Sequence, residues 1–505
     1  MLANISTRQK ILVMGAVMSG MLLAALDQTI VATALPRIVS ELHGLKDLSW
    51  VVTAYLLTST ISVPISGKLS DIFGRKKLFL LSIFIFVLGS ALSGLSQNMA
   101  ELIGFRALQG VGAGMLMSMA FAVIGDLFTP AERGRWQGII GAVFGLASVV
   151  GPLLGGYLTD HASWRWNFYI NVPVGILAFF MISSFMPQIK SDKKDQKIDF
   201  LGAGLLAGGL STLLLGFVWG GNQYAWGSFE VVGVLILAVA FLLSFAWVEH
   251  RHAQDPILPL DLFKNQIFSL SMLIVFIIGI AMFGAILYIP LFAQDVLGRT
   301  ATNSGVILTP MVLSLVVVSI IAGQTVSRTG RYKALAIFGM SLTTAGLLWL
   351  SSIGIHTTNG ELTARMMLIG AGLGFGMPIF NLIVQNAFPH SRLGVATASV
   401  QLFRSIGATI GVAVMGSILN NRLAQHLANS HQQISASQLS TLNAQNISPP
   451  VRSALASSIS EVFLLGGLVV MIAFVASWFI KEIPLRTSHE HPTASEGGAP
   501  GAAHA

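Results

Sequence analysis

Long apolar stretches separated by short polar segments run through almost the whole chain. About 20 apolar residues in a helix cross a hydrocarbon core of ~30 Å, so each stretch predicts one membrane-spanning helix. A first block has six stretches, near residues 11–36, 49–67, 78–96, 100–125, 136–158 and 168–187. A pair follows, near 200–220 and 229–248. The last block has six more, near 267–292, 304–326, 334–354, 363–388, 395–419 and 459–480. The pattern predicts an all-α integral membrane protein with fourteen transmembrane helices.

The composition points to the same environment. Of the 505 residues, 54% are hydrophobic and only 10% are charged, whereas a soluble domain has about 25% charged residues. The excess apolar surface requires a lipid bilayer. The chain contains no cysteine, so structural disulfides and thiolate metal sites are excluded.

The basic residues lie between the apolar runs and not along one stripe, although the net charge is +8. If the N-terminus lies inside, most lysines and arginines fall in inner loops, including the linker lysines 190, 193, 194 and 197. Loops that retain basic residues are cytoplasmic. The distribution predicts a multi-pass membrane protein with both termini cytoplasmic. The membrane is expected to be the bacterial cytoplasmic (inner) membrane. It also accounts for the positive charge without a nucleic-acid partner.

Two glycine patterns occur twice at the same separation. Residues 67–77, GKLSDIFGRKK, return as 323–333, GQTVSRTGRYK, and the glycines at 151 and 155 return at 407 and 411, all 256 positions later. Duplicated halves with a central site are a transporter architecture. The predicted division has an N-terminal six-helix half at residues 1–187 and a cytoplasmic linker with two inserted helices at 188–250. A C-terminal six-helix half follows at 251–486, and a disordered cytoplasmic tail at 487–505.

Ionisable residues inside the predicted spans are candidates for function, because a charge in the bilayer costs ~2.5–3.5 kcal/mol unless it has a partner or a wet cavity. Arg365 and Arg404 lie within or at the edge of spans, but Asp27 and Arg106 are expected to matter most. At ~1.5 Å per residue, both lie about 21–22 Å from the inner face. They are either a structural salt bridge or a proton-coupling and substrate pair in which Arg106 sets the proton affinity of Asp27.

Several segments of the first block carry a family resemblance. They are residues 26–36 (LDQTIVATALP), 67–77, 106–114 (RALQGVGAG), 151–156 (GPLLGG) and 164–175 (WRWNFYINVPVG). In this order and on these helices they resemble the signatures of the fourteen-helix drug:proton antiporters of the major facilitator superfamily. The second block matches only in degenerate form. The resemblance implies the major facilitator fold, two six-helix halves with two extra helices between them, and export of lipophilic compounds in exchange for protons by alternating access.

The resemblance also implies a role for the loop at residues 67–77. Glycines allow a tight turn and a close helix approach there, and an acid lies among basic residues, so a charged gating latch is expected. Its residues are Gly67, Asp71, Gly74, Arg75 and Lys77. The simpler interpretation is that the basic residues only fix the topology. In the second copy Ser327 replaces the acid, so a second latch should be weaker.

A hinge typical of antiporters is implied at Gly151, Pro152, Gly155 and Gly156. Proline removes one backbone hydrogen bond from a helix, and small residues let a neighbouring helix approach closely. Plain helix packing through the glycines is the equally weighted alternative.

Enzymatic and cofactor-binding alternatives find little support. No GxxxxGK[ST] phosphate loop occurs, and the glycine series at 110–114 and 370–376 lie inside apolar spans and not in a βαβ unit. Three scattered tail histidines do not make a metal site. No enzyme activity, cofactor or metal is therefore expected.

The expected partners are small lipophilic substrates, neutral or monocationic, together with protons and the lipid bilayer. A dedicated exporter of one metabolite, such as an amino acid, siderophore or lipid, has the same fold and remains an alternative, as does a non-transporting membrane receptor. Sodium coupling is a second alternative to protons. A periplasmic adaptor is conceivable, although no residue identifies one.

Overall fold

The computed structural model describes residues 6–42, 48–188, 199–221, 223–251, 256–298, 301–389, 392–429 and 449–485. Within these ranges, fourteen helices are long and apolar enough to cross a membrane. Helices are the only regular secondary structure of the described residues, apart from one isolated bridge between Gly220 and Tyr224. The predicted all-α class and the number of spans are confirmed.

The first six membrane helices are α1 (Thr7–Leu42), α2 (Leu48–Phe73), α3 (Arg75–Leu95), α4 (Met99–Leu127), α5 (Pro130–His161) and α6 (Asn171–Phe185). A single helical turn, Trp166–Tyr169, precedes α6. Local sequence fixes several of these ends. For example, α5 begins with a capping box, in which the Glu132 carboxylate accepts a bond from the Thr129 backbone N–H at 3.0 Å.

The remaining helices are α7 (Phe200–Trp219), α8 (Phe229–Arg251), α9 (Gln266–Leu291), α10 (Ala301–Thr329), α11 (Lys333–Leu350), α12 (Asn359–Ala387), α13 (Leu393–Asn429) and α14 (Pro449–Trp478). The polar segment at 420–457, which lies between the predicted spans at 395–419 and 459–480, is partly helical. Helix α13 continues to Asn429, and α14 starts at Pro449, where proline suits the first helical position. Hydropathy detects only the lipid-crossing part of a helix. Backbone hydrogen bonding continues the helix beyond this part, into polar residues that hydropathy does not mark.

The two six-helix bundles pack against each other near one face of the molecule. We call the face that carries the start of α1 the inner face. A Cβ atom built on Gly67, near the inner end of α2, would lie 2.8 Å from the Cβ of Ala398 on α13. On α4, a Cβ at Gly125 would lie 3.7 Å from a methyl carbon of Leu393, the first residue of α13. Small residues at these contacts let helices of opposite bundles approach closely, so the inner ends are closed.

The inserted pair, α7 and α8, is attached to both bundles. At the outer face the rings of Trp219 and Trp50, on α7 and α2, lie 6.5 Å apart, and the Trp226 indole donates to the Ser417 hydroxyl on α13 at 2.7 Å. Near the inner face, Glu249 of α8 accepts a 2.8 Å bond from the backbone N–H of Ile257. We expect the pair to lie at the periphery, because large apolar side chains such as Ile236 and Leu243 are 65% exposed and face lipid.

Candidate functional site

Asp27, on α1, is the centre of a buried polar network. Its side chain has no exposed surface. One carboxylate oxygen, Oδ2, accepts from Arg106 Nη1 at 2.7 Å. The other, Oδ1, accepts from Gln109 Nε2 at 2.8 Å and from Asn171 Nδ2 at 2.9 Å. The carboxylate therefore joins α1, α4 and α6, and in this conformation no substrate reaches it.

Arg106, on α4, is held from several sides. It donates to the Gln109 amide oxygen at 2.7 Å and to the backbone carbonyl of Val51 on α2 at 3.4 Å. Its guanidinium carbon also lies 4.1 Å from the centroid of the Tyr55 ring, a cation–π geometry. With 2% of its surface exposed, the guanidinium is compensated by the Asp27 carboxylate and by the face of the Tyr55 ring.

This arrangement is chemically able to respond to a single proton. As long as Asp27 is ionised, three donors converge on its two oxygens. A proton on the carboxylate removes the negative charge and one acceptor position, which leaves Arg106 without its counter-charge. The bond between α1 and α4 would then weaken.

Sequence reasoning named the acid and the arginine but missed the two amides that complete the network. Gln109 and Asn171 are both buried with no exposed surface, and Asn171 also donates to the Ser90 hydroxyl on α3 at 3.0 Å. A signal was present, since each amide lies inside a segment that carries the family resemblance, at 106–114 and at 164–175.

The start of the segment 164–175 forms a clasp on the outer side. The Trp164 indole donates to Glu41 Oε2 at 2.8 Å, and Arg37 and Arg165 pair with the same carboxylate. The hydrogen bond from Trp164 lowers the pKa of Glu41 below its ordinary value. These contacts hold the outer end of α1 against the turn that precedes α6. Asn171, the first residue of α6, follows this turn and donates to Asp27.

The loop at residues 67–77 is joined to α4 by a buried ion pair. Arg75, at the start of α3, contacts the Ser70 hydroxyl and donates through Nε to Asp126 Oδ2 at 2.8 Å. Gly74 has φ 90°, a backbone conformation that glycine adopts without strain. Lys76 reaches the Ser183 carbonyl at 2.6 Å, whereas Lys77 is exposed. The side chain of Asp71 lies outside the described part of the chain, so its latch role stays a prediction.

Two acids near the inner face have roles that the sequence did not indicate. Asp126, near the end of α4, is buried against Arg75. In the second copy of the loop, where Ser327 replaces the acid, Glu482 accepts from the backbone N–H of Tyr332 at 2.9 Å and of Lys333 at 3.3 Å. Each copy of the loop is therefore bonded to an acid that is distant in sequence, Asp126 in the first copy and Glu482 in the second.

The glycines of the predicted hinge differ in their surroundings. Gly151 of α5 packs on Thr29 of α1, and a Cβ built there would overlap the threonine hydroxyl. That hydroxyl donates to the Ala147 carbonyl of α5 at 2.9 Å. Pro152 is half-buried inside the unbroken α5 and Gly155 is buried, whereas open space surrounds a Cβ at Gly156. Close packing therefore concerns Gly151, whose contact residue Thr29 lies two residues after Asp27 on α1.

We expect Gly151→Ala to reduce efflux strongly and Gly156→Ala to leave it nearly unchanged. An added methyl at 151 forces α1 and α5 apart, and overpacking typically costs about 1–3 kcal/mol. At 156 it meets no atom. Efflux per molecule, at matched membrane abundance, is the measurement, and equal losses in both variants would contradict this account.

Arg404, on α13, is a charged residue at the interface between the bundles. It is 8% exposed, contacts the Gln401 amide on its own helix, and lies 5.8 Å from the centroid of the Phe121 ring on α4. Among the described residues, no aspartate or glutamate forms an ion pair with it. It lies about 16 Å along α13 from Leu393. The sequence placed Arg404 in a span but gave it no function.

Two six-helix bundles that meet at a central interface, with a buried acid–arginine pair inside one of them, define a membrane transporter. The family model described as Major Facilitator Superfamily matches residues 17–412. The chain belongs to the major facilitator superfamily, and it is a transporter and not an enzyme.

Similar proteins of comparable length are found in bacteria. "Multidrug transporter protein MdtP" of Bacillus subtilis (strain 168) is 39% identical over 95% of this chain and 94% of its own length. "Multidrug resistance protein 3" of the same organism is 36% identical over 95% and 97%. Among solved structures, the human organic anion transporter MFSD10 superposes with a TM-score of 0.66 at 15% identity, covering 94% of this chain and 100% of that one. That similarity shows the fold.

Proposed function

We propose that the protein is a secondary active multidrug exporter that exchanges lipophilic, neutral or monocationic compounds for protons by alternating access. The names of relatives that match over almost the full length support multidrug efflux. The observation that carries the proton coupling is Asp27, a fully buried carboxylate paired with Arg106 at 2.7 Å.

In this proposal Asp27 binds a proton that arrives from the outer side while the inner ends are closed. Neutral Asp27 releases Arg106, which loosens the contact of α1 with α4. Gly151, packed on Thr29, would transmit the movement of α1 to α5, and α5 lies against α10 of the second bundle. Opening of the inner ends would follow, with Gly67, Asp71, Gly74, Arg75 and Lys77 as the inner latch.

The orientation and the division of the chain belong to the same proposal. Both termini would be cytoplasmic in a bacterial inner membrane. The six-helix halves would occupy residues 1–187 and 251–486, with the linker and inserted pair at 188–250. The proposal leaves open whether the protein works with a periplasmic adaptor.

Purified protein in proteoliposomes tests this proposal directly. Addition of ethidium, a lipophilic monocation, should release protons that a pH dye detects, and an imposed pH gradient should drive ethidium uphill. Substrate movement without proton movement, or driven by a sodium gradient alone, would contradict proton antiport. Proton-coupled uphill transport of one amino acid, with no response to ethidium, would instead favour the dedicated metabolite exporter.

The substrate preference follows from the charges at the interface. Asp27 and Arg106 neutralise each other, and Arg404 adds a positive charge. Two unit charges ~8 Å apart at an effective dielectric constant of ~20 repel by about 2 kcal/mol, roughly thirtyfold in binding. We therefore expect resistance to neutral compounds and monocations to exceed resistance to dications. Arg404→Gln should raise resistance to a bis-quaternary ammonium compound.

The matched control is Arg328→Gln, which removes an exposed arginine at the inner end of α10. It should leave the ratio of dication to monocation resistance unchanged. If Arg404→Gln and Arg328→Gln change that ratio equally, Arg404 does not determine the preference.

A further inference from the structure

A cavity of about 440 Å³ lies at the outer end of the second bundle, away from the Asp27 network. Its wall is formed by the connection between α11 and α12 and by the first turns of α12 and α14. Polar side chains around it include those of Ser352, His356, Glu361, Arg365, Ser453 and Ser457. The volume lies within the range of ~300–1,000 Å³ that small-molecule sites occupy.

Arg365, on α12, is the buried cation of this cavity. It is 7% exposed, and its Nε and Nη1 atoms are buried without a hydrogen-bond partner. Among the described residues no carboxylate pairs with it. A buried guanidinium with unused donors gains most from an anion, since charge-assisted hydrogen bonds to phosphate or carboxylate are the strong ones. The side chain thus indicates an anionic ligand.

The position of the cavity favours a ligand from the membrane. Arg365 lies about 9 Å along α12 from Asn359, at the outer end of the helix. The guanidinium carbon is 5.5 Å from the ring centroid of Trp349, which is 44% exposed at the end of α11. Ile355, in the cavity wall, is 43% exposed. Tryptophan is typical of the membrane–water interface, so the cavity opens where lipid head groups lie.

The second charged residue of the cavity further restricts which ligands can bind there. Glu361 lies one helical turn before Arg365 and is exposed at the rim, where it also accepts from the Thr358 backbone N–H at 3.1 Å. Its carboxylate would repel a simple anion and attract an ammonium group. The hydroxyls of Ser453 and Ser457 are suitable donors to phosphate oxygens. A head group with both a phosphate and an ammonium fits this set of charges.

We propose that this cavity, the Arg365 site, binds the head group of an outer-leaflet phospholipid that carries a phosphate and a primary ammonium. The phosphate accepts hydrogen bonds from Arg365, and the ammonium lies against Glu361. The acyl chains follow the apolar surface beside Trp349. The site is separate from substrate transport, and its test requires no transport measurement.

Native mass spectrometry of the full chain, released from detergent, tests the site with defined lipids. Phosphatidylethanolamine should bind at one molecule per chain, more tightly than phosphatidylglycerol. Arg365→Gln should weaken this binding about tenfold or more, the scale of a lost charged hydrogen bond. Glu361→Gln should mainly abolish the preference for phosphatidylethanolamine over phosphatidylglycerol.

Arg452→Gln is the matched control, because Arg452 lies in the first turn of α14 beside Ser453 but does not line the cavity. It should bind phosphatidylethanolamine as the parent chain does. Thermal melting without added lipid shows whether Arg365→Gln remains folded, and Arg365→Lys, which keeps the charge, should bind at an intermediate level. Unchanged lipid binding by folded Arg365→Gln, or equally tight binding of soluble glycerophosphoethanolamine or inorganic phosphate, overturns the proposal.

Discussion

Replacing Asp27 by asparagine should abolish proton-driven efflux and also destabilise the folded protein. Asparagine keeps the size of the side chain but cannot titrate, and it leaves Arg106 buried without its counter-charge. Removing one partner of a buried ion pair typically costs roughly 3–5 kcal/mol. Ethidium accumulation under a pH gradient, together with thermal melting of the purified variant, measures the two effects.

The double variant Asp27→Asn with Arg106→Gln separates coupling from structure. With both charges removed, neutral side chains can hydrogen-bond to Gln109 and Asn171, so melting should return towards that of the parent chain. Uphill efflux should remain absent, because no proton is bound. Recovery of uphill efflux in the double variant would show that Asp27 and Arg106 have a structural role and not a coupling role. Gradient-driven transport by a well-folded Asp27→Asn protein would remove Asp27 from the mechanism.

The second large effect is expected at the inner face, where Asp126→Asn breaks the buried pair with Arg75. The two side chains are 3% and 7% exposed and their charged atoms are 2.8 Å apart. Loss of the carboxylate removes a charge-assisted hydrogen bond from a buried guanidinium at the junction of α3 and α4, and such bonds contribute about 1.5–3 kcal/mol. Thermal melting should show the destabilisation, and efflux at equal abundance should fall with it.

The exposed pair between Arg392 and Asp261 provides the comparison. Its side chains are 46% and 47% exposed, and such surface pairs contribute about 0–1 kcal/mol. Asp261→Asn should therefore melt close to the parent chain and retain efflux. A similar loss of stability in both variants would show that burial of the Arg75–Asp126 pair does not account for its strength.

The depth of residues in the membrane could be predicted from the sequence because depth depends on counting along one helix. Apolar length located fourteen spans, now confirmed, and the same counting placed Asp27 and Arg106 at one level, where they are found 2.7 Å apart. The repeated glycine patterns matched helices at the same position in each bundle, α2 with α10 and α5 with α13.

What the sequence could not provide is the direction in which each side chain points around its helix and which helix it meets there. Helix α4 is apolar on nearly all sides, so no periodic pattern singled out Gln109 as a partner of Asp27 or Asp126 as a partner of Arg75. Glu482 reaches Tyr332 across 150 residues, and no local spacing predicts such a contact. In lipid both the buried and the lipid-facing sides of a helix are apolar, so only the packing of the two bundles decided which polar groups meet.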